Sequence, residues 1–462
     1  MTGNEEGDEQ SAEGVGRRQL LQVAGAASVP ALAGCNGLRP EEAGGDGDGA
    51  GGDRSVAGKK DSSSTLELKP ELNLGGRRIV SSPDTVGYDT IQAAWKAADD
   101  GDIVFVHSSY DAEAADEPFP ITLDYRKKEV MLSGGHPSGS VIDARHAPDE
   151  NVVEVLGKAS DDYRNRALVQ HLKIRGGDVG IRIRGATYST YKDIVVYNTA
   201  GDGVRVEEFT DASGQTKGAF GITFRNCMAW RCGGSGFRLR TGASPHGTTF
   251  YGCDALFNGF EDGSPGVALR GYSSRWVNGV VQNNAGFGIE ARDGASQAVK
   301  DTYLEGNGMA APKPHGLYVD DSAPGFVLKG CYFQGGYFRS APNDRTKGYR
   351  AIAVAGARGV ELSGCTYKNY TDAFLHLRDT ADADVHIASH TGLDDTQFQN
   401  SWSNTRLRSS GLILEADLRG GDPEGRYTGD YGVHDGSGRA PWGLAMWNGN
   451  RWVSVVDGSV VR

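Results

Sequence analysis

The sequence predicts an all-β solenoid, in which one short strand from each coil stacks into a parallel sheet. A repeated strand pattern supports this fold class: glycine, an apolar residue, a variable residue, a second apolar residue and a further variable residue. The pattern begins at Gly180, Gly203, Gly236, Gly266, Gly288 and Gly316. A second strand that ends at a turn residue precedes each pattern. The number of residues between successive repeats is irregular, which is typical of coils whose loops differ in length. The 68 glycines, which show no collagen-like period, also favour a turn-rich β protein.

Residues 1 to 35 have the features of an export signal. Arg17 and Arg18 precede an apolar run that is too short and too weakly apolar to span a bilayer. The paired arginines resemble a twin-arginine export signal, and "LAGC", Leu32–Cys35, resembles a lipobox in which Cys35 is lipidated and begins the mature protein. With the net charge of −12, this combination resembles lipoproteins of halophilic archaea. It implies a cell-surface protein that contacts the membrane only through a lipid at Cys35, with partial release because one lipid anchors marginally.

Residues 36 to 75 are predicted to be a flexible, acidic, glycine-rich linker. The stretch "GGDGDGAGGDRS" contains almost no apolar residue that could join a core. The net charge of −12 also argues against a general nucleic-acid-binding protein.

Residues 76 to 400 are predicted to form the solenoid, which begins with a helix. Asp89 is the expected N-cap, with Gln92 completing a capping box. The apolar residues of one helical face are Ile91, Ala94, Trp95 and Ala98. A strand at Ile103–Val106 follows. This helix-then-strand start, with "GHPSGSVIDA" at Gly135–Ala144, resembles the N-terminal cap and first coils of right-handed parallel β-helix proteins of the pectin lyase-like superfamily. The resemblance implies this fold without one activity, since that superfamily includes lyases, hydrolases, epimerases and non-catalytic surface proteins.

The turn residues and cysteines of the repeat predict an interior ladder. The expected turn residues are Asp193, Asn226, Gly252, Gly279, Asp301, Gly330 and Gly364. Cys227, Cys253, Cys331 and Cys365 each follow one of them, where other coils place Ile194, Val280 and Thr302. Buried thiols at these positions fit a small apolar ladder. Coils stack about 4.8 Å apart, which a disulfide tolerates, so bonding between Cys227 and Cys253 stays open.

Strand alternation places arginines on the outer face of the repeated strand. In "GFRLR", Phe237 and Leu239 are expected to face inward while Arg238 and Arg240 face outward. The candidate substrate-binding residues at such outward positions are Arg205, Arg238, Arg240, Arg270 and Arg292. Arginine is suited to the carboxylate or sulfate groups of an anionic polysaccharide. A second interpretation stays open, in which these arginines pair with Glu207, Glu290, Asp320 and loop acids as an ion network.

The chemistry most natural for such a face is β-elimination of a uronate polysaccharide. It needs a cation that neutralises the carboxylate and a base that removes the adjacent proton. The candidate catalytic residues are His246, His315 and Tyr318. Hydrolysis is less favoured: the resemblance implies that a polygalacturonase-type enzyme would carry an Asp-Asp pair between an Asn-Thr-Asp and a Gly-His-Gly motif. No such pair stands between the fragments "NTAGD" at Asn198–Asp202 and "PHG" at Pro245–Gly247. The alternative from another class is a non-catalytic glycan-binding adhesin or surface structural protein.

No motif demands a metal. Ca²⁺ is compatible with the acidic loops "FEDGS" at Phe260–Ser264 and "VDDSA" at Val319–Ala323, although neither has a spacing that requires it.

Residues 401 to 462 are predicted to be a small C-terminal β module. In "WNGNRW", Asn448 and Gly449 supply a hairpin turn between Trp447 and Trp452. Two roles for these tryptophans and Trp442 stay open: a small core, or stacking on sugar rings.

Overall fold

In this computed structural model, the described residues are 77–80, 87–157, 167–210, 214, 216–240, 245–310, 315–335, 350–368, 373–377, 384–388, 398–400, 406–410, 431–434, 443–447 and 452–454. The predicted export signal with Cys35, the predicted linker up to residue 75, and Trp442 lie outside them. In the described part of the chain, every helix is too short or too polar to cross a membrane.

The described residues form strands and one helix, α1, at Ile91–Ala97. Strands β1 to β12 are, in order, Arg77–Val80, Ile103–Val106, Ile121–Asp124, Met131–Gly134, Val141–Ala144, Val153–Leu156, Leu168–Gly176, Ile181–Arg184, Thr190–Tyr197, Val204–Glu207, Phe209–Thr210 and Thr216–Lys217. Strands β13 to β24 are Thr223–Arg225, Met228–Trp230, Phe237–Leu239, Thr249–Tyr251, Asp254–Leu256, Val267–Leu269, Arg275–Val277, Val280–Gln282, Ile289–Ala291, Ala298–Lys300, Tyr303–Glu305 and His315–Asp320. Strands β25 to β36 are Val327–Lys329, Tyr332–Gln334, Arg350–Ala355, Val360–Ser363, Thr366–Lys368, Ala373–Leu377, Asp384–Ala388, Phe398–Asn400, Arg406–Ser410, Tyr431–His434, Gly443–Trp447 and Trp452–Ser454.

The strands of successive coils pair in parallel and build two sheets. The first sheet has 20 strands in two ladders that share the long strands β7 and β9. The second sheet has 11 strands, in the order β3, β6, β8, β10, β15, β18, β21, β24, β27, β30 and β32. These parallel, stacked strands confirm the predicted right-handed parallel β-helix with an N-terminal helix.

The C-terminal residues contain a separate antiparallel sheet. Strands β34, β35 and β36 pair antiparallel, with Trp447 opposite Trp452 as the Asn-Gly hairpin predicts. The parallel ladder of the first sheet includes β33 at Arg406–Ser410, which pairs with β31. The domain boundaries at residues 35, 75 and 400 stay predictions.

Helix α1 begins one residue later than the sequence predicts. Thr90, not Asp89, is the N-cap, and its hydroxyl accepts a hydrogen bond from the Ala93 amide at 3.0 Å. Gln92 does not form a capping box, because its side chain pairs with the backbone of Thr122 on β3, accepting from the amide at 2.8 Å. The apolar face is confirmed, since the buried residues are Ile91, Ala94, Trp95 and Ala98.

A stack of aromatic rings fills the interior of the central coils. The rings of Tyr191 and Phe224 are 5.0 Å apart, Phe224 and Phe250 are 4.7 Å apart, and Phe250 and Trp276 are 5.2 Å apart. Phe237 from the second sheet meets Phe250 edge-on at 5.3 Å. Inward-facing Phe237 and Leu239 are each 1% exposed, which confirms the predicted alternation.

The turn between the two ladders of the first sheet uses the left-handed region in successive coils. Six predicted turn residues have a positive φ: Asp193, Asn226, Gly252, Asp301, Gly330 and Gly364. The prediction for Gly279 is wrong, because Asn278 takes this conformation with φ 55°. The register then places Gly279, not Val280, beside Cys253. A Cβ at Gly279 would lie 2.1 Å from the Cys253 carbonyl oxygen and 2.9 Å from Nε1 of the buried Trp276, so only glycine fits at this position.

The predicted cysteine ladder is buried. Cys227 and Cys253 occupy equivalent positions of neighbouring coils, immediately before the paired residues Met228 and Asp254. Cys331 and Cys365 stand in the same relation one residue before Tyr332 and Thr366. All five described cysteines, which include Cys232, are free thiols in this structure.

Asp254 gives the fold a specific pH dependence. It stands between Met228 and Val280 in one ladder, and burial raises the pKa of its carboxyl from 3.8 to about 6. The folded state therefore holds a proton that the unfolded state releases between about pH 4 and pH 6, so stability falls as pH rises through this window. We expect Asp254→Asn to remove this dependence and to raise stability above pH 6 by up to about 3 kcal/mol. Urea denaturation of both proteins across the window measures the difference, and parallel stability curves would contradict it.

Candidate functional site

A groove lies on the outer face of the second sheet, across strands β8, β10, β15, β18 and β21. Its volume is about 710 Å³, which is the size of a ligand site. Five arginines line it: Arg182, Arg184, Arg238, Arg240 and Arg270. Three glutamates also line it: Glu207, Glu208 and Glu290. We call this feature the arginine groove.

Parallel pairing aligns the outward side chains of successive coils. Arg182, Arg205 and Arg238 are direct partners on β8, β10 and β15. The same ladder continues through Ala268, Glu290, Tyr318, Ala353 and His376. The predicted arginine positions therefore lie on one face, as strand alternation requires.

The first part of the groove holds two arginines between two glutamates. Arg182 pairs with Glu207, and its Nη1 lies 3.4 Å from Glu154 Oε1. Arg184 lies 3.2 Å from the same Glu154 oxygen, and its guanidinium also lies 5.2 Å from the Phe209 ring centre. The repeated sequence pattern does not identify Glu154, because its strand, β6, lacks the leading glycine of the repeat.

The middle of the groove is organised by one buried carboxylate. Asp202 is 1% exposed; Arg205 Nε donates a hydrogen bond to its Oδ2 at 2.6 Å, and Arg238 Nε lies within ion-pair distance of its Oδ1 at 3.1 Å. It also accepts a hydrogen bond from the Ser235 amide at 2.9 Å. Arg240 differs from these arginines, because it is exposed and no described carboxylate lies within ion-pair distance. Asp202 thus holds two guanidinium groups in place and leaves Arg240 available to a ligand.

The last part of the groove continues the ion network. Glu290 binds Arg270 Nη2 at 2.5 Å and Arg292 Nη2 at 2.9 Å. Arg292 also lies 3.6 Å from Asp320 and 5.1 Å from the centre of the Tyr318 ring. The expected pairing of arginines with Glu207, Glu290 and Asp320 is therefore present. Of the predicted binding arginines, Arg238, Arg240 and Arg270 line the groove, whereas Arg205 and Arg292 do not. The ion network fixes the guanidinium groups of Arg238 and Arg270 in the groove, so the two interpretations of the arginines are compatible.

Two of the three candidate catalytic residues meet at one ring. Tyr318 stacks on Phe287 at 4.8 Å, and His315 contacts the same ring edge-on at 5.6 Å. Tyr318 donates a hydrogen bond to Asp320 at 3.2 Å. His315 is 3% exposed, which leaves its imidazole little access to a polymer.

Arg350 and His376 join this cluster and were missed in the sequence. The ring of His376 stacks on His315 at 6.1 Å, and Arg350 Nη1 donates to His376 Nδ1 at 2.7 Å. His376 could have been found in the sequence from "AFLHL", where strand alternation places it on the outer face, two coils beyond Tyr318.

His246 does not join the cluster. It lies at a coil corner after β15, three coils from β24, which is roughly 14 Å along the stack. Its ring contacts Phe220 at 6.2 Å and Tyr272 at 5.0 Å. The structure therefore brings together His315 and Tyr318 but not His246.

The carboxylate that Tyr318 meets is ionised. Burial alone would raise the pKa of Asp320, but hydrogen bonds from Asp321 and Ser322 and the charge of Arg292 lower it below its usual value. The hydrogen bond with Asp320 and the charge of Asp320 raise the pKa of Asp321. Asp320 is thus the proton acceptor of this pair.

The acidic loops that suggested Ca²⁺ already use their carboxylates. Asp262 accepts hydrogen bonds from the Ser264 amide at 2.9 Å and the Ser264 hydroxyl at 2.6 Å. Asp320 accepts from the Ser322 hydroxyl at 2.9 Å. Among the described residues, no three histidine, cysteine or carboxylate side chains converge as a metal site. Ca²⁺ binding stays a prediction.

The fold and this groove define a parallel β-helix protein with a charged, ligand-sized site on one sheet. No protein-family model matches the chain, and no curated protein matches it in sequence. An alginate lyase from Paenibacillus sp. str. FPU-7 is a similar solved structure, with 12% identity and a TM-score of 0.44 over 73% of this chain and 99% of that chain. The A-module of the mannuronan C-5 epimerase AlgE4 from Azotobacter vinelandii has 14% identity and a TM-score of 0.40, over 61% of this chain and 84% of that chain. The pectate lyase Pel9A has 12% identity and a TM-score of 0.42, over 68% and 72%. Similarities at this level do not identify a ligand.

Proposed function

We propose that this protein binds an acidic extracellular polysaccharide in the arginine groove and cleaves it by β-elimination. The observation that carries the proposal is the concentration of five arginines in one groove of a chain with a net charge of −12. A guanidinium presents a planar fork that fits carboxylates and sulfates. Stacked coils repeat this fork at intervals of roughly 4.8 Å, which suits a polymer with charges along its length.

The chemistry assigns distinct tasks to Arg292 and Tyr318, which lie beside the groove next to its lining residue Glu290. A guanidinium neutralises the uronate carboxylate, which acidifies the neighbouring C–H. A base removes that proton, the electron pair forms a C=C bond, the bond to the glycosidic oxygen breaks, and this leaving oxygen takes up a proton from water. We assign the neutralising role to Arg292 and the role of base to Tyr318, whose oxygen takes the C–H proton as its own hydroxyl proton passes to the ionised Asp320. Tyr318 directly follows the groove residue Glu290 in the same ladder.

Binding without cleavage is the second candidate function. Arg182, Arg205 and Arg270 are already paired with carboxylates, which weakens their action on a substrate charge. The limited exposure of His315 and of Tyr318, at 3% and 7%, also favours binding without cleavage. An adhesin would need only the positively charged groove and not the proton-transfer residues.

A panel of polysaccharides tests the proposal and separates the candidates. The probes are polygalacturonate, alginate, hyaluronan, a sulfated glycan and neutral dextran, with binding, ultraviolet absorbance of unsaturated products and new reducing ends as readouts. Binding with rising absorbance supports β-elimination, whereas new reducing ends without absorbance indicate hydrolysis. Binding without either product identifies an adhesin. Failure to bind every acidic polymer would overturn the proposed function.

We also propose that the protein is exported and held at the cell surface by a lipid on Cys35. The support is the sequence alone, namely the paired arginines and the lipobox-like Leu32–Cys35. Replacing Cys35 with serine is expected to move the protein from the membrane fraction into the medium, because the lipid is its only attachment. Cell fractionation and mass spectrometry of the N-terminus measure this. An exported parent protein that retains Met1 would contradict the proposal.

A further inference from the structure

An exposed ladder of aromatic rings runs along one corner of the coils. Single parallel bridges link Thr187 to Phe220, Phe220 to His246, and His246 to Tyr272. Tyr272 is 53% exposed, and Tyr188, which follows Thr187, is 43% exposed. Exposed apolar side chains that adjoin one another mark interaction sites, whereas singly scattered ones do not. We call Tyr188, Phe220, His246 and Tyr272 the aromatic corner.

The backbone of Tyr188 is held in an unfavourable conformation. Its φ is 49°, in the left-handed region, where a bulky side chain is strained. The equivalent residue of the next two coils is glycine, namely Gly221 with φ 65° and Gly247 with φ 64°. A Cβ at Gly221 would lie 2.8 Å from Cδ1 of Tyr188, so the ring rests on this glycine. Strain of this kind persists where surrounding contacts hold the backbone in place, and it clusters at binding and active sites.

The aromatic corner and the arginine groove belong to the same coils. Tyr188 follows β8, Phe220 follows β10, His246 follows β15 and Tyr272 follows β18. These four strands supply all five arginines of the groove or flank them directly. Tyr272 is the second residue after Arg270. In the next coil, where Glu290 ends the groove, the corner holds Ala295 instead of an aromatic residue.

We infer that the aromatic corner is a second binding surface for the same polysaccharide, at which Tyr188 and Tyr272 contact the apolar C–H faces of its sugar rings. This inference rests on the proposed function. A uronate polymer has carboxylates that fit the guanidinium groups and C–H faces that fit aromatic rings. Tyrosine suits such contact because it is apolar in its body and polar at its tip. The groove supplies attraction that salt weakens, and the corner supplies attraction that salt leaves intact.

The test replaces each of the two tyrosines with a residue that stands at the equivalent position of another coil. Tyr188→Gly introduces the residue found in the next two coils, and Tyr272→Thr introduces the counterpart of Thr187. The probes are polygalacturonate and alginate, measured in dilute salt and in about 1 M salt, where the Debye length is about 3 Å. We expect the double variant to bind roughly tenfold more weakly than the parent in both salt conditions, with an unchanged or higher thermal midpoint.

Tyr251→Ser is the matched control, since Tyr251 is 49% exposed on the first sheet and is not part of the aromatic corner. It should bind like the parent. If the tyrosine double variant also binds like the parent while an arginine-groove variant loses binding, the inference is overturned and the proposed function stands. If the parent binds neither probe at either salt concentration, both are overturned. A loss that disappears in 1 M salt would likewise contradict stacking by the tyrosines.

Discussion

Replacing Phe250 with alanine is expected to lower the free energy of unfolding by about 3–5 kcal/mol. Phe250 is 1% exposed, and its ring lies between Phe224 at 4.7 Å and Trp276 at 5.2 Å. Phe237 closes the third side at 5.3 Å. Removing the ring leaves a cavity among three large side chains whose positions are fixed by strands of different coils. These rings cannot collapse onto one another without breaking the register, so the loss is near the upper end for one residue.

Tyr251→Ala is the control for this prediction. Tyr251 is the next residue of the same strand, and it is 49% exposed on the outer face. Its truncation is expected to change stability by no more than about 0.5 kcal/mol. Chemical denaturation of both variants gives the comparison. Similar losses for Phe250 and Tyr251 would refute the alternation on which the coil is built.

The repeated strands could be predicted because their information is local. The two-residue period alone places Phe237 and Leu239 inside and Arg238 outside, and the structure agrees. Coils with the same pattern then stack in register, so Arg205 pairs with Arg182 and Arg238. Neither the alternation within a strand nor the register between strands depends on the length of the intervening loop.

The errors arose where two neighbouring residues fit the same local role. Asn278 and Gly279 both tolerate a left-handed turn, and Gly279 is needed at the second position because a Cβ there would clash with the Cys253 carbonyl oxygen and the Trp276 ring. Asp89 and Thr90 are both good N-caps, and the choice follows from the first helical residue, Ile91. Sequence alone contains no measure of these contacts.

The site was predicted only in part because its partners come from distant loops and coils. Alternation identifies the arginines, but Asp202 lies before its strand and reaches both Arg205 and Arg238. The aromatic corner was hidden for the same reason, since loops of different length separate Phe220 and His246 from the strands before them.

Replacing Arg238 and Arg240 together with alanine is expected to weaken binding of an acidic polysaccharide about 100-fold at low ionic strength. Each removed guanidinium takes with it one charge-assisted contact of about 1.5 kcal/mol or more. The effect should shrink as salt is added, because screening already weakens these contacts in the parent. Of the two residues, Arg240 separates binding from stability better, since it is exposed and makes no described ion pair. Arg240→Ala alone should therefore weaken binding without changing the thermal midpoint.

The matched control removes the same charge from the other sheet. Arg225 and Arg275 are exposed residues on β13 and β19, in coils that also contribute to the groove. If binding responded only to net charge, the Arg225→Ala, Arg275→Ala protein would lose as much affinity as the groove variant. We expect it to bind like the parent, because neither of these side chains lines the arginine groove. In the groove variant, Arg205 still neutralises the buried Asp202 at 2.6 Å, so the fold should persist. Equal binding by the parent, the groove variant and the control would mean that these arginines serve only the ion network and that the polysaccharide binds elsewhere.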